Sequence, residues 1–187
     1  MSATLIIIDM QKAMDDPRYG TRGQHDAEDN IANLLAHWRE LGNPVVHVRD
    51  NSTDPDSPYY EGKPTHEFKP QFKPLDGEEI IDKRSSNAFI GTDLLAVLEE
   101  FGSPELIICG VHLQHCVEST LRMAASMGFL VFVPQDCVIA TDQLDANGKK
   151  WSADDVHALT LAILDGNHAK VVTSSALMGG AGTDTLQ

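Results

Sequence analysis

Cys116 is the residue in this chain whose placement points most directly at chemistry. It follows an apolar run, Leu106 to Cys109, that Gly110 ends, and it opens a stretch in which Val117, Leu121, Ala124 and Ala125 recur at helical spacing until Gly128. Glu118 and Arg122 add an i,i+4 charge pair to that helix. A thiol where a strand and turn give way to a helix meets unpaired N–H groups and about half a positive charge, which favours thiolate. A free cysteine also serves as a small buried packing residue, and local pattern alone leaves both readings open. Asp9 closes a second apolar run, Thr4 to Asp9, and Lys83 closes a third, Glu79 to Lys83. Taken singly, Asp9 reads equally well as a polar strand terminus. Together the three make a self-consistent set. Asp9 accepts the proton of a thiol whose ordinary pKa is about 8.5, Lys83 offsets the repulsion between carboxylate and sulfur, and Cys116 attacks. The turn before Cys116 supplies backbone N–H groups for an oxyanion.

The elements that must bring them together alternate along the chain. Thr4–Asp9 is apolar throughout, as a strand covered on both faces is. Asp26 to Leu41 carries Ile31, Leu34, Leu35, Trp38 and Leu41 in one helical stripe and stops at Gly42 and Pro44. Val45 to Val48 is again a strand, so the first fifty residues read as β-α-β with a right-handed crossover. Further strands are expected at Glu79–Lys83, Leu106–Cys109, Leu130–Val133 and Lys170–Thr173, and further helices at Thr92–Phe101 and from Ser152, with Asp155 in a capping-box position, to Leu164. Thr141 to Lys150 is polar and holds an Asn-Gly turn. Residues 50–78 contain five prolines and Tyr59, Tyr60, Phe68 and Phe72 without a regular period, the mark of a binding loop or lid whose aromatics pin it down or line a pocket. The glycine-rich tail from Met178 to Gln187 is expected to be frayed or used in assembly. This alternation predicts a single α/β domain over residues 1–187, a three-layer α/β/α sandwich on a mostly parallel sheet of about six strands. Ligands bind such sheets beyond the carboxyl ends of the strands, where strand order reverses. Asp9, Lys83 and Cys116 all stand at such ends.

Composition narrows the partners. With 28 acidic against 14 basic residues, the chain is a poor match for nucleic acid or an anionic membrane, and no apolar run is long enough to span a bilayer. The expectation is a cytoplasmic protein acting on a small molecule. Cys109 and Cys137 lie in or beside strand runs and read as packing residues, and no cysteine pair has zinc-finger or Cys-x-x-Cys spacing.

The chain resembles the isochorismatase-like cysteine hydrolases, a family that includes nicotinamidases and N-carbamoylsarcosine amidase. The resemblance rests on Leu5-Ile-Ile-Ile-Asp-Met-Gln11, on Lys83 with Asn87-Ala-Phe-Ile-Gly-Thr-Asp-Leu94, on Gly110-Val-His-Leu-Gln-His-Cys-Val-Glu-Ser-Thr120, and on Gly128-Phe-Leu-Val131. These pieces stand in the family's order and spacing. The resemblance implies that Asp9, Lys83 and Cys116 are an Asp-Lys-Cys triad. It also implies a cis peptide at Val111–His112, an oxyanion hole from the backbone N–H groups of His112 and Cys116, and a homodimer or homotetramer. The implied reaction is cleavage of a C–N bond in a small amide, carbamoyl or lactam through a thioester. Gln11, Tyr19, Phe89, His112, Leu113 and His115 are the substrate-binding candidates by their nearness to the triad.

Two departures stand out. Relatives carry a small residue and then Thr where this chain has His112 and Leu113. The nicotinamidase metal motif, Asp-x-His, is represented only by Arg49-Asp-Asn-Ser52, which leaves Asp50 with His47 and His66 as the residual metal option and makes a site without metal or cofactor the expectation. Two other readings compete: an isochorismatase-type vinyl-ether hydrolase, which the resemblance says has no need of the cysteine, and a redox-responsive thiol or binding protein on the same fold.

Overall fold

A computed structural model of the chain describes residues 3–179. Its centre is a sheet of seven strands, all paired in parallel. In chain order these are β1 (Thr4–Ile8), β2 (Val45–Asp50), β3 (Glu79–Lys83), β4 (Glu105–Val111), β5 (Leu130–Pro134), β6 (Val138–Ile139) and, after the hairpin β7 (Gln143–Leu144) and β8 (Lys150–Trp151), β9 (Lys170–Val172). The spatial order is β3-β2-β1-β4-β5-β9, with β6 paired to the end of β4 at Gly110 and Val111. One more strand is present than the sequence predicts. At two residues, β6 is too short to show a period, and it exists only because β4 runs two residues past Cys109 and offers it a ladder.

Every residue of β1 is buried, and so are residues 106–111 of β4, as central strands covered on both faces must be. The outermost strand, β3, buries only Ile81 and Lys83. Five helices flank the sheet: α1 (Ala27–Glu40), α2 (Leu94–Phe101), α3 (Glu118–Ser126), α4 (Ala153–Leu164) and α5 (Ser174–Met178). Right-handed crossovers put α1 on one face and α2, α3 and α4 on the other. The last helix, α5, packs against α1. The α1 stripe is buried through Ile31, Leu34, Leu35 and Trp38, whose indole donates to the carbonyl of Ala3 at 3.0 Å. Leu41, expected in that stripe, is exposed, because the helix has ended and the chain turns through Gly42 in the left-handed region. Ser152 caps α4 by accepting from the backbone N–H of Asp155.

The polar stretch Thr141 to Lys150, with its expected Asn147-Gly148 turn, carries the β7–β8 hairpin, whose two short strands were not anticipated. Residues 50–78 hold two single 3-10 turns, at Pro64–His66 and Pro70–Phe72, and Phe68, Phe72 and Tyr59 are buried and fasten the loop to the body. The tail beyond Gly179 lies outside the described residues. Among the described residues no helix is long and apolar enough to cross a membrane.

Chain direction reverses across the sheet between β1 and β4. From β1 the chain builds outward through β2 to β3, then returns to β4 and builds the other way. The crevice at the carboxyl ends of β1 and β4 is therefore the topological switch point. Gly110 allows the two strands to close up there. At its φ of +119°, a Cβ would stand 2.1 Å from the carbonyl oxygen of Ile8.

Candidate active site

Three strand ends deliver three side chains to this crevice. Asp9 follows β1 directly, its N–H bonded to Val48 and its backbone at φ +55°, a left-handed conformation that few non-glycine residues hold. Lys83 ends β3, two strands away, and its long side chain spans the distance, passing Asp50, its register partner on β2. Cys116 lies just past β4. The Lys83 ammonium is fully buried and stands 2.9 Å from Asp9 Oδ2, 2.7 Å from Asp50 Oδ2 and 3.4 Å from Cys116 Sγ. A carboxylate oxygen of Asp9, one of Asp50 and the sulfur all lie within 4.8 Å of one another. Asp9 Oδ1, also buried, has no hydrogen-bond partner and is the acceptor left open in the site.

Electrostatics follow from this crowding. For Asp9, burial works first, raising the pKa; Lys83 opposes it and Asp50 adds to it, for a net rise to about 6. Burial alone would strip the proton from Lys83, but Asp9, Cys116 and Asp50 outweigh it and hold the ammonium well above its ordinary range. Burial and then the Asp9 carboxylate push the Cys116 thiol well up, against the pull of Lys83. These two outweigh the pull toward thiolate expected from the helix N-terminus and leave Asp9 a thiol proton to accept. One cause is local: the helical segment begins at Leu113, as a π-turn over Leu113–Val117, so the sulfur sits a turn inside the helix. The other is Asp9. The high thiol value belongs to a sulfur facing an ionised carboxylate, and passing the proton to Asp9 leaves a single negative charge opposite the ammonium.

Asp50 enters the site through Lys83, a contact the sequence reading did not assign to it. It was grouped with His47 and His66 as a metal option, but His47 lies three residues before it on β2 and so faces the other side of the sheet. There His47 Nε2 meets Glu78 at 2.9 Å, and burial lowers its pKa. His66 shares no cluster of metal-ligating groups with Asp50 among the described residues. The acidic and sulfur groups that do gather are already bound to the Lys83 ammonium, so this donor set does not fit a divalent ion. The signal for Asp50 was available in its register opposite Lys83, which a single sequence does not display.

The other candidates divide. The peptide bond Val111–His112 is cis, and the His112 ring lies 5.2 Å from Tyr19, which lies 5.7 Å from Tyr59. Tyr19, His112 and exposed His115 line a hollow of about 460 Å³ whose walls include none of Asp9, Lys83 and Cys116; His112 and His115, four residues and one residue before the nucleophile, connect it to the site. Phe89 and Leu113 belong to the buried core cluster instead, and neither lines this hollow or the one adjoining it. Gln11 is also removed from the substrate set. It is fully buried, donating to the carbonyls of Asp50 and His66 and accepting from the N–H of Asp50 at 2.8 Å. That makes it the fastener of the 50–68 loop. Gln11→Ala is expected to lower stability by about 2–4 kcal/mol in urea titrations, because it strands buried backbone partners. Tyr59 was counted only among loop aromatics. Its hydroxyl is buried without a partner, and burial together with the charges of Asp9, Tyr19 and Cys116 raises its pKa well above the usual value.

Comparison with known proteins places the chain in a family. The isochorismatase domain model matches residues 3–171. A crystal structure from Chromobacterium violaceum assigned to the isochorismatase family shares 42% identity at a TM-score of 0.93, covering 97% of this chain and 94% of that one. The Bacillus subtilis isochorismatase family protein YrdC is 34% identical over 93% of both chains. N-carbamoylsarcosine amidase of Arthrobacter is 26% identical over 72% of this chain and 58% of its own. The chain belongs to the isochorismatase family of hydrolases.

Proposed function

We propose that this chain is a cysteine hydrolase that cleaves a C–N bond in a small amide, carbamoyl or lactam through a thioester, with Asp9 as base, Lys83 as cationic partner and Cys116 as nucleophile. The observation that carries the proposal is the meeting of Asp9, Asp50 and the Cys116 sulfur around the one buried ammonium of Lys83. Asp9 takes the thiol proton as Sγ attacks the carbonyl carbon. The oxyanion that forms is held by the backbone N–H groups of His112 and Cys116. Asp9 returns the proton to the departing nitrogen, the C–N bond breaks, and a thioester remains. Water, deprotonated by Asp9, then attacks the thioester, the C–S bond breaks, and the thiol is reprotonated. Lys83 stays charged throughout and neutralises whichever partner carries the negative charge.

A nucleophilic sulfur at this point favours C–N hydrolysis over vinyl-ether hydrolysis, which has no use for one. A redox role is the weaker reading, because the other two cysteines, Cys109 and Cys137, are fully buried and neither can resolve an oxidised Cys116.

Iodoacetamide tests the nucleophile. Cys116 is expected to alkylate faster than Cys109 or Cys137 by about an order of magnitude or more, read by peptide mass spectrometry. Equal labelling of the three thiols would count against the proposal. The pH profile tests the base. Asp9 must be ionised to accept the thiol proton, and its pKa is raised to about 6, so kcat/KM for an amide is expected to rise with pH through that value and level off above it. A rate unchanged between pH 5 and 7 would exclude Asp9 as the base.

A further inference from the structure

The side chain of His112 has no part in the chemistry proposed above, where only its backbone is used. Yet it is 8% exposed, and both of its ring nitrogens are buried without a hydrogen-bond partner. Buried polar atoms are left open in this way where a ligand or water completes them. The ring stands between two adjoining hollows, of about 460 and 390 Å³, and lines both. It shares one helical turn with the nucleophile, its carbonyl accepting from the N–H of Val117 beside Cys116. Tyr19 flanks the ring, with centroids 5.2 Å apart.

The walls of the hollows say what the ring meets. Their lysine, arginines and aspartates are paired with one another: Arg18 with Asp16, Lys150 with Asp142, and Arg22 with Asp15. No unpaired lysine, arginine or aspartate is left there to balance a charged substrate. The polar group without a partner is an imidazole. Burial, then His115, Lys83 and Arg22, lower its pKa to about 4, so at neutral pH the ring is uncharged, with one nitrogen a donor and the other an acceptor. No protein partner fixes the tautomer, so either nitrogen can take either role.

We propose that the His112 side chain is a specificity-determining residue of this site, and that it selects uncharged substrates whose amide, ureido or lactam group hydrogen-bonds to the ring. This deepens the cysteine-hydrolase reading and rests on it for the identity of the site. The cations that act on the ring, Lys83 and Arg22, are already held by carboxylates, so a carboxylate in the same place would face a neutral ring and no cation free to pair with it.

The test reads occupancy at Cys116 without requiring turnover. Cys116 is modified with methyl methanethiolsulfonate, an uncharged reagent that leaves a methyl disulfide and releases methanesulfinate. The rate is followed in the presence of matched pairs: acetamide and acetate, butanamide and butanoate, benzamide and benzoate. In the unaltered protein at least one amide is expected to slow modification saturably and more strongly than its carboxylate. His112→Phe keeps a flat ring against Tyr19 and removes both polar atoms. It is expected to cut protection by the amide about three- to tenfold, the range of one lost hydrogen bond. His112→Gln restores a donor and an acceptor and should hold protection within about twofold. The net charge of −14 repels carboxylates equally in all three proteins, so the change in the amide-to-carboxylate gap is what counts. If His112→Phe does not fold, ring-nitrogen NMR of the unaltered protein decides. The His112 resonances must move with the amide and not with its carboxylate.

Equal protection by both members of every pair, or undiminished protection in a folded His112→Phe, overturns the proposal. Turnover of the same amides is measured alongside. Protection without any turnover sinks the hydrolase reading and leaves His112 as the recognition residue. Turnover with no dependence on His112 sinks this inference and leaves the hydrolase.

Discussion

Cys116→Ala is expected to abolish amide hydrolysis, by at least about 10⁴-fold in kcat, while the melting temperature stays within a few degrees of the parent. The activity loss is large because the sulfur is the only group in the site able to form the covalent bond. Asp9 and Lys83 without it can orient water but cannot split the reaction into two easier steps. The stability cost is small because Lys83 keeps both of its carboxylate partners, at 2.9 and 2.7 Å, and only its sulfur contact disappears. Cys116→Ser makes the sharper version of the test. It preserves shape and polarity, but the hydroxyl is a far weaker acid than the thiol, and a carboxylate with a pKa near 6 is too weak to activate it. Steady-state release of ammonia or amine, with intact-mass detection of an acyl-enzyme in the parent alone, checks both variants. Undiminished turnover in Cys116→Ser would mean that sulfur is not the nucleophile.

The parts of this site that could be read from sequence are those set by local pattern. Apolar runs ending at Asp9 and Lys83 mark strand ends because a strand buried on both faces tolerates a charged residue only where it leaves the sheet. The period change after Gly110 marked the strand-to-helix turn at Cys116 for the same kind of reason. What depends on pairing across the sheet stayed hidden. The β2–β3 register puts Asp50 opposite Lys83, and no spacing along one chain reveals it. Gln11, beside the triad in sequence, looked like a substrate contact. Its side chain turns instead to the backbone of a loop some forty to fifty residues away. Phe89, in the turn before α2, and Leu113, at the start of the π-turn, were chosen by the same nearness in sequence, and both are buried in the core. The helix start was misjudged by three residues because a π-turn has no apolar period of its own. The difference matters chemically, since the pull toward thiolate was argued from a helix beginning at Cys116.

Lys83→Met is expected to be the most damaging single change to both fold and function. The substitution leaves Asp9 and Asp50 facing each other with their shared cation gone, and Asp9 is only 2% exposed. Removing one partner of a buried ion pair costs about 3–5 kcal/mol, because the remaining charge keeps its desolvation penalty and loses its compensation. The pH dependence separates this cause from simple misfit of methionine. Asp9 has a folded pKa already raised to about 6 from 3.8, and losing Lys83 removes the largest influence holding it down, so in the variant it rises further. A carboxyl whose folded pKa lies above its unfolded value binds more protons folded than unfolded between the two. Stability therefore falls as pH rises through that window and is regained as pH falls. The variant should be weakest at neutral pH and should recover part of its loss near pH 5, whereas a packing defect would cost the same at both. Urea titrations at pH 7.5 and pH 5 measure the difference. Activity should not return with the fold at pH 5, because Asp9 is then protonated and can no longer accept the proton of Cys116. A variant as stable as the parent at neutral pH would mean that the buried ammonium does not hold the two carboxylates together.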